Sequence, residues 1–253
     1  MGGGVQMEHD TSSNGNCRER ILEAAGEIFA EFGFRGATVR KICERAKVNI
    51  AAINYYFGGK EKLYSEVLRH WHDFAIKKYP LFFGVGEDAP VEEQLRGFIR
   101  SFLFRLLDKG KPAWFGKLMM REMTEPTRAF ERLVKEIVRP RDKVLASLVG
   151  KMIGTPVSEE EIRLCCASII GQCLYYYNAR SIIKRLYRQD VTQPDEIERI
   201  ADHVMQFSLK GLEHNSKHSE DRTKIEAESQ ISDPMTGSSP RIPHSAREID
   251  PVF

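Results

Sequence analysis

Asn54, Tyr55, Tyr56 and Lys60 crowd together just after the small apolar run Ile50-Ala51-Ala52. A carboxamide such as that of Asn54 can pair bidentately with the edge of adenine, and alanine methyls can meet the methyl of thymine. Tyrosine hydroxyls and the Lys60 ammonium suit phosphate oxygens. Short side chains at the front let a backbone lie close to something flat and deep. Upstream, Thr38-Val39-Arg40 brings a hydroxyl able to cap a helix and a guanidinium able to meet a phosphate or a base edge. Asn49 precedes the small run. The residue types and spacing predict DNA contacts from Asn49, Ile50, Ala51, Ala52, Asn54, Tyr55, Tyr56 and Lys60, with Ile53 and Phe57 in the core.

Catalytic chemistry finds no comparable footing. Gly59-Lys60 lacks the upstream glycine of a phosphate-binding loop, and there is no Gly-x-Ser-x-Gly, His-Glu-x-x-His or Cys-x-x-Cys pattern. The acidic runs Glu92-Glu93 and Glu159-Glu160-Glu161 read as solvated helix faces. An all-α enzyme is the remote alternative, and no catalytic, metal or cofactor site is expected. His70 and His72 flank Trp71 on different sides of one helix, a poor arrangement for a shared metal. The cysteines are Cys17, Cys43, Cys165, Cys166 and Cys173. Cys166 and Cys173 lie about 10 Å apart along a helix axis, too far for a disulfide within it. They read as small core residues, with an intersubunit link or a redox role as the alternative.

The chemistry-bearing residues need a frame, and the sequence supplies helices. Thr38 opens one whose buried stripe is Val39, Ile42 and Cys43. Ala46-Lys47-Val48-Asn49 is a turn, and a second short helix runs from Ile50 to Phe57. That pair has the form of a helix-turn-helix whose second helix enters a major groove. Before it, Ile21, Ala24, Ala25, Ile28, Phe29 and Phe32 recur at helical spacing from about Cys17 until Gly33. After it, one long helix is predicted from Lys60 to Phe82, linking the helix-turn-helix to the second half of the chain.

Amphipathic helices continue: Val91 to Leu107, Ala113 to Thr124, and Pro126 to Ile153 with a kink at Pro140. Ser158 and Glu161 form a capping box for a helix reaching Tyr187. Thr192 and Asp195 form a second such pair, for a last helix ending at Leu212. The fold class is all-α with about nine helices and no strand. The boundaries are 1–16 disordered, 17–62 helix-turn-helix, 60–82 linking helix, 83–212 second domain and 213–253 disordered tail.

The 253 residues carry a formal net charge of +2, which argues against a protein that coats nucleic acid everywhere. Between Arg18 and Lys62, however, nine basic residues face six acidic ones, so positive charge gathers where phosphates would lie. No apolar run approaches the ~18–20 residues of a membrane span. An odd set of thiols without a secretory pattern predicts a reducing cytoplasm.

The order helix, glycine, Thr-containing helix, turn, INYYF, GGKEKLY resembles the TetR family of bacterial transcriptional regulators. Departures from the family pattern are Asn54 where tyrosine is common, Tyr56 where histidine is common, and Gly59 in place of a polar cap. MMREMTEPTRAFERLVKEIVRP and IIGQCLYYYNAR are similar to the CecR-type C-terminal domain of one branch. The resemblance spans roughly residues 18–212. It implies that Thr38, Val39 and Arg40 contact DNA at the start of the helix lying across the backbone. It also implies a homodimer paired through a four-helix bundle, a palindromic double-stranded operator, and a small-molecule effector pocket in the second domain. Residues expected at that pocket are Trp114, Phe115, Met119, Arg121, Glu122, Met123, Tyr176 and Asn178. The expected function is a repressor released by its effector, which would tilt the Lys60–Phe82 helix. It would thereby change the separation of two recognition helices held one turn of DNA apart, about 34–36 Å. An activator or a redox-responsive regulator on the same fold are the alternatives.

Overall fold

Apolar residues recurring three and four apart leave each segment one face to bury, and the chain answers with helices packed on helices. The computed structural model describes residues 9–86, 88–154 and 157–231. Among them are eleven α-helices, one π-helical turn and no strand. The helices are α1 (His9–Gly36), α2 (Val39–Ala46), α3 (Ile50–Phe57), α4 (Lys60–Lys78), α5 (Val91–Leu107), α6 (Pro112–Thr124), α7 (Phe130–Leu133), α8 (Arg139–Ile153), α9 (Glu159–Asn178), α10 (Arg180–Tyr187) and α11 (Pro194–Ile231). The π turn, Val134–Val138, joins α7 to α8.

Several boundaries have local causes. Gly33, at φ 70° and ψ 176°, breaks α1 where the sequence predicts its end. α4 stops at Lys78 rather than Phe82, because Tyr79 precedes Pro80 and is pushed out of the helical region, to φ −127° and ψ 82°. The kink expected at Pro140 takes the form of the π turn just before it. Proline displaces the carbonyl four residues back, and the wider turn absorbs the mismatch. The stretch 126–129 stays outside the helix, and the segment begins at Phe130.

The Ser158–Glu161 capping box is present. The helix it starts breaks at Ala179, so one expected helix becomes α9 and α10. Thr192 does not pair with Asp195: its N–H and hydroxyl both donate to Asp190. The ends are longer than expected, with α1 helical from His9 and α11 running to Ile231. No proline or glycine lies between Gly211 and Ile231, and extending a helix already nucleated needs no new nucleus. The expected disorder of 1–8 and 232–253 lies outside the described residues.

The apolar side chains form two cores. One joins α1 to α4 with Phe115 and Leu118 of α6 and Leu133 of α7. The other joins Tyr79 to α5, α8, α9, α10 and α11. The first core therefore reaches well past residue 62 and takes in α6. Trp71 of α4 is fully buried there, edge-on to Trp114 of α6 at 4.6 Å between centroids. Gly26 of α1 makes room for it, since a methyl group there would collide with the indole.

Candidate DNA-reading face and effector chamber

The turn between α2 and α3 is held by caps at each end. Thr38 accepts the Lys41 N–H at 3.2 Å, and Asn49 accepts the Ala52 N–H at 2.9 Å. Lys47 sits in the left-handed region at φ 55°, and its backbone closes α2. Arg20 of α1 donates to the carbonyls of Ala46 at 2.5 Å and Lys47 at 3.0 Å, fixing the turn to the first helix. The next turn uses glycine twice. Gly58 lies at φ 69° and Gly59 at φ 124°, where a side chain would be strained. Gly59 gives α4 no side-chain cap, so the first N–H groups of α4 lack one.

α3 buries Ile53 and Phe57 and turns its other face outward. Ala51 and Asn54 are exposed, Ile50 is 55% exposed and Tyr55 76%. Thr38 and Arg40 are exposed beside them, while Val39 and Ala52 are half-buried against the core. Tyr56 is half-buried too, its ring against those of Tyr55 and Phe57.

The charges around this face are less uniform than their count suggests. Arg40 pairs with Glu44, Arg45 with Glu27, and Arg18 with Glu66. The Lys60 ammonium rests 4.5 Å from the centre of the Phe34 ring, and burial lowers its pKa. Lys41 likewise covers Phe32 at 4.2 Å. Arg35, Lys47 and Lys62 carry exposed charge.

A second feature lies between α5, α6, the π turn, α8 and α9. It is a chamber of about 360 Å³ whose wall is almost wholly apolar, including Phe98, Phe102, Phe115, Met119 and Ile170. Charge enters it as Arg105, Arg141 and Arg163 against Asp142. Arg105 is only 6% exposed; its Nε donates to the Ser101 carbonyl at 3.1 Å, and its Nη2 is buried with no partner among the described residues. Burial and then the neighbouring Arg141 push the Arg105 pKa down to about 9.

Arg141 donates to the Ile137 carbonyl at 3.0 Å and reaches His72 of α4 with its other nitrogen. Burial, with Arg141 next, lowers the His72 pKa to about 4. The neutral ring can then donate from Nδ1 to Asp73 and accept at Nε2 from Arg141. α4 thus follows α3 at one end and touches the chamber wall through His72.

Residues 21–67 match the family of bacterial regulatory proteins named for TetR. Residues 91–212 match the C-terminal domain of the HTH-type transcriptional dual regulator CecR. The chain belongs to the TetR family of transcriptional regulators. Such proteins bind DNA and regulate transcription, and they are not enzymes. The chain is 28% identical to CecR of Shigella flexneri over 71% of its own length and 83% of the relative's. It is 47% identical to the repressor NicS of Pseudomonas putida, over 35% of this chain and 42% of that one. Among solved structures, a TetR-like regulator from Rhodococcus sp. RHA1 aligns over 78% of this chain and 95% of its own, with TM-score 0.56 and 18% identity. AibR, solved with isovaleryl coenzyme A and operator DNA, aligns over 76% and 97%, with TM-score 0.55 and 17% identity. At these identities the likeness is one of fold.

Within this TetR-family fold, the eight residues expected at the effector pocket divide. Phe115, Met119 and Met123 line the chamber. Trp114 does not: it packs on Trp71 in the other core. Arg121 and Glu122 do not line the chamber, and each has a partner elsewhere. Arg121 donates to the Ala30 and Glu31 carbonyls of α1, at 3.3 and 2.6 Å. Glu122 is 1% exposed and accepts from the Tyr64 hydroxyl at 2.7 Å and from Thr127 N–H and Oγ1 at 3.1 Å.

Tyr176 is half-buried near Tyr175, and Asn178 is exposed at the end of α9; neither lines the chamber. Successive residues turn by about 100°, so α9 spreads its Tyr175-Tyr176-Tyr177-Asn178 run around its circumference. Sequence reasoning missed Arg105 and Arg141. Arg105 does leave a trace, as the one charge within the apolar run Phe102-Leu103-Phe104-Arg105-Leu106-Leu107. All five cysteines are unbridged. Burial raises Cys166 to about 11 and Cys173 to about 12, which leaves little thiolate for redox chemistry at neutral pH.

Among the described residues no helix is long and apolar enough to cross a membrane, and no group of three or more metal-binding side chains gathers.

Proposed function

We propose that this TetR-family chain is a repressor that binds a palindromic operator as a homodimer and leaves it when a small molecule fills the chamber. The observation that carries the reading is the double attachment of α4, to α3 through the Gly58-Gly59 turn and to the chamber through His72. The effector must favour the arrangement that does not fit DNA, because equal affinity for both shifts nothing. AibR, with its coenzyme A thioester and operator, is a fold neighbour that combines a small molecule with DNA.

In this reading α3 lies in the major groove. Asn54 reads a base edge, Ile50, Ala51 and Ala52 set the close approach, and Tyr55 and Tyr56 meet phosphates. Asn49 acts through its cap on α3, and Thr38, Val39 and Arg40 approach the backbone. The uncapped N-terminus of α4 suits a phosphate, which Lys60 reaches by leaving Phe34. Exposed Lys47 and Lys62 add charge. Dimerisation is supported by apolar side chains facing outward on α9 to α11, with Leu164 58%, Tyr175 57%, Ile182 57% and Phe207 63% exposed. A cytoplasmic location follows from the DNA partner.

Selection of bound DNA from a random pool, followed by a screen for compounds that release it, tests the proposal. Recovery of one inverted-repeat site and of a releasing compound is expected. Failure to enrich any sequence would sink it. A dual role, with activation at some sites, has one supporting observation: CecR, the relative matched over most of its length, is named a dual regulator.

A further inference from the structure

We propose that the chamber takes a small amphipathic anion, with its apolar body against Phe98, Phe102, Phe115 and Met119 and its headgroup between Arg105 and Arg141. This rests on the reading of the chamber as the effector site, and it adds the chemical class of the occupant.

The apolar walls alone would suit any greasy molecule. The charge is what discriminates. Arg105 holds a buried nitrogen without a partner, and an uncompensated charge in an apolar site is costly. Arg141 stands close enough to depress the Arg105 pKa, so the two guanidiniums repel. Arg163 also lines the wall, but it is exposed and pairs with Glu160, so Arg105 and Arg141 carry the charge there; Asp142 is the single carboxylate in the lining. A neutral ligand could offer Arg105 an acceptor but would leave the two positive charges uncompensated, and a cation would add to the repulsion. An anion satisfies the nitrogen and screens both guanidiniums in charge-assisted bonds. A carboxylate and a phosphate monoester share that chemistry. The volume, about 360 Å³, is at the small end of ligand pockets and sets a limit on the body.

The same headgroup has a route to the reading head. Arg141 is the donor to His72 of α4. A ligand that draws Arg141 toward Arg105 takes that bond from the helix bearing α3 at its far end.

Calorimetric titration of the full chain with matched ligands tests the class: octanoate, octyl phosphate and octanamide, and 2-naphthoate with 2-naphthamide for a flat body. At least tenfold tighter binding of an anion than of its neutral amide is expected, and the tighter of octanoate and octyl phosphate names the headgroup. The preference should fall at least threefold in Arg105→Met, where Arg141 alone remains; the variant removes an unpaired buried charge and should fold with an unchanged or higher Tm. Equal binding of anion and amide to the unaltered protein would overturn the anionic class while leaving the chamber a ligand site. A preference undiminished in Arg105→Met would overturn the assignment to Arg105. No binding of any probe at millimolar concentration would remove the proposal together with the effector reading of the chamber.

Discussion

The reading face and the chamber treat their polar groups in opposite ways. Around α2 and α3 the polar atoms are provided for locally: Thr38 and Asn49 cap their own helices, Arg20 closes the turn, and Arg40 and Arg45 have carboxylate partners. What is left outward is a short, shallow set of side chains. On the chamber wall Arg105 carries a guanidinium nitrogen buried with no partner among the described residues, in a lining that includes a second guanidinium and is otherwise mostly apolar. A surface that meets a large partner can be complete by itself, because water satisfies it in the partner's absence. A nitrogen buried as Arg105 Nη2 is cannot borrow water so freely, and the anion proposed above would compensate its charge.

The contrast also hides a connection, since α4 and α6 belong to the core under the reading face and α6 also walls the chamber. The largest expected effect tests that connection. Trp71→Ala should cost about 3–5 kcal/mol, the range for emptying a large aromatic site, in a single cooperative transition followed by circular dichroism. Two separate transitions would mean that the reading face and the chamber do not share a core.

Next comes acid. His72 has a folded pKa of about 4 against 6.5 when free, so between these values the unfolded chain binds more protons than the folded one. Its contribution is fully present above about pH 6.5 and is lost as pH falls toward 4, by up to about 3 kcal/mol. Urea titrations at pH 7.5 and 4.5 should show a smaller acid loss for His72→Gln than for the unaltered chain. The groups facing the ring are Arg141, Arg105 and Asp73, and an unchanged pH profile would place the titrating group elsewhere.

Smaller effects divide the reading face. Asn54→Ala should weaken the cognate operator by roughly 1–3 kcal/mol and leave random DNA unaffected. Lys47→Ala should weaken both alike and flatten the salt dependence. Identical behaviour of the two variants on both DNAs would erase the distinction between reading and docking. Smallest of all, Asn49→Ala should lower stability by about 1 kcal/mol through its cap, with DNA affinity falling in step. Lost affinity at full stability would give Asn49 a direct contact in place of a capping role.

The helices were legible because their causes are local. Gly33, Thr38, the Ser158–Glu161 box and the stripe from Leu95 to Leu106 each act within a few residues. The outward face of α3 was legible for the same reason: placing Ile53 and Phe57 in the core turns Ala51, Asn54 and Tyr55 away from it. The chamber was legible only in part. Phe115, Met119 and Met123 came with the apolar periodicity of α6, but the same periodicity offered Trp114, which sits on the face toward Trp71. Arg121 and Glu122 look like a pair along the chain; in space one bonds to α1 and the other to α4 and Thr127. Nothing in a single helix reveals which neighbour its two faces will meet.

The sequence by itself determined the all-helical class, the helix-turn-helix, the helix that leads away from it and the family. The first three rest on spacings within one or two turns of chain, and the family on the resemblance of its motifs. Only the tertiary structure decided where the cores divide, that Lys60 lies on Phe34, and that Arg105, Arg141 and His72 meet around one chamber. Arg105 and Arg141 are thirty-six residues apart and His72 comes from a third helix. Burial and charge are properties of what surrounds a group, and for these three the surroundings exist only after the helices have packed.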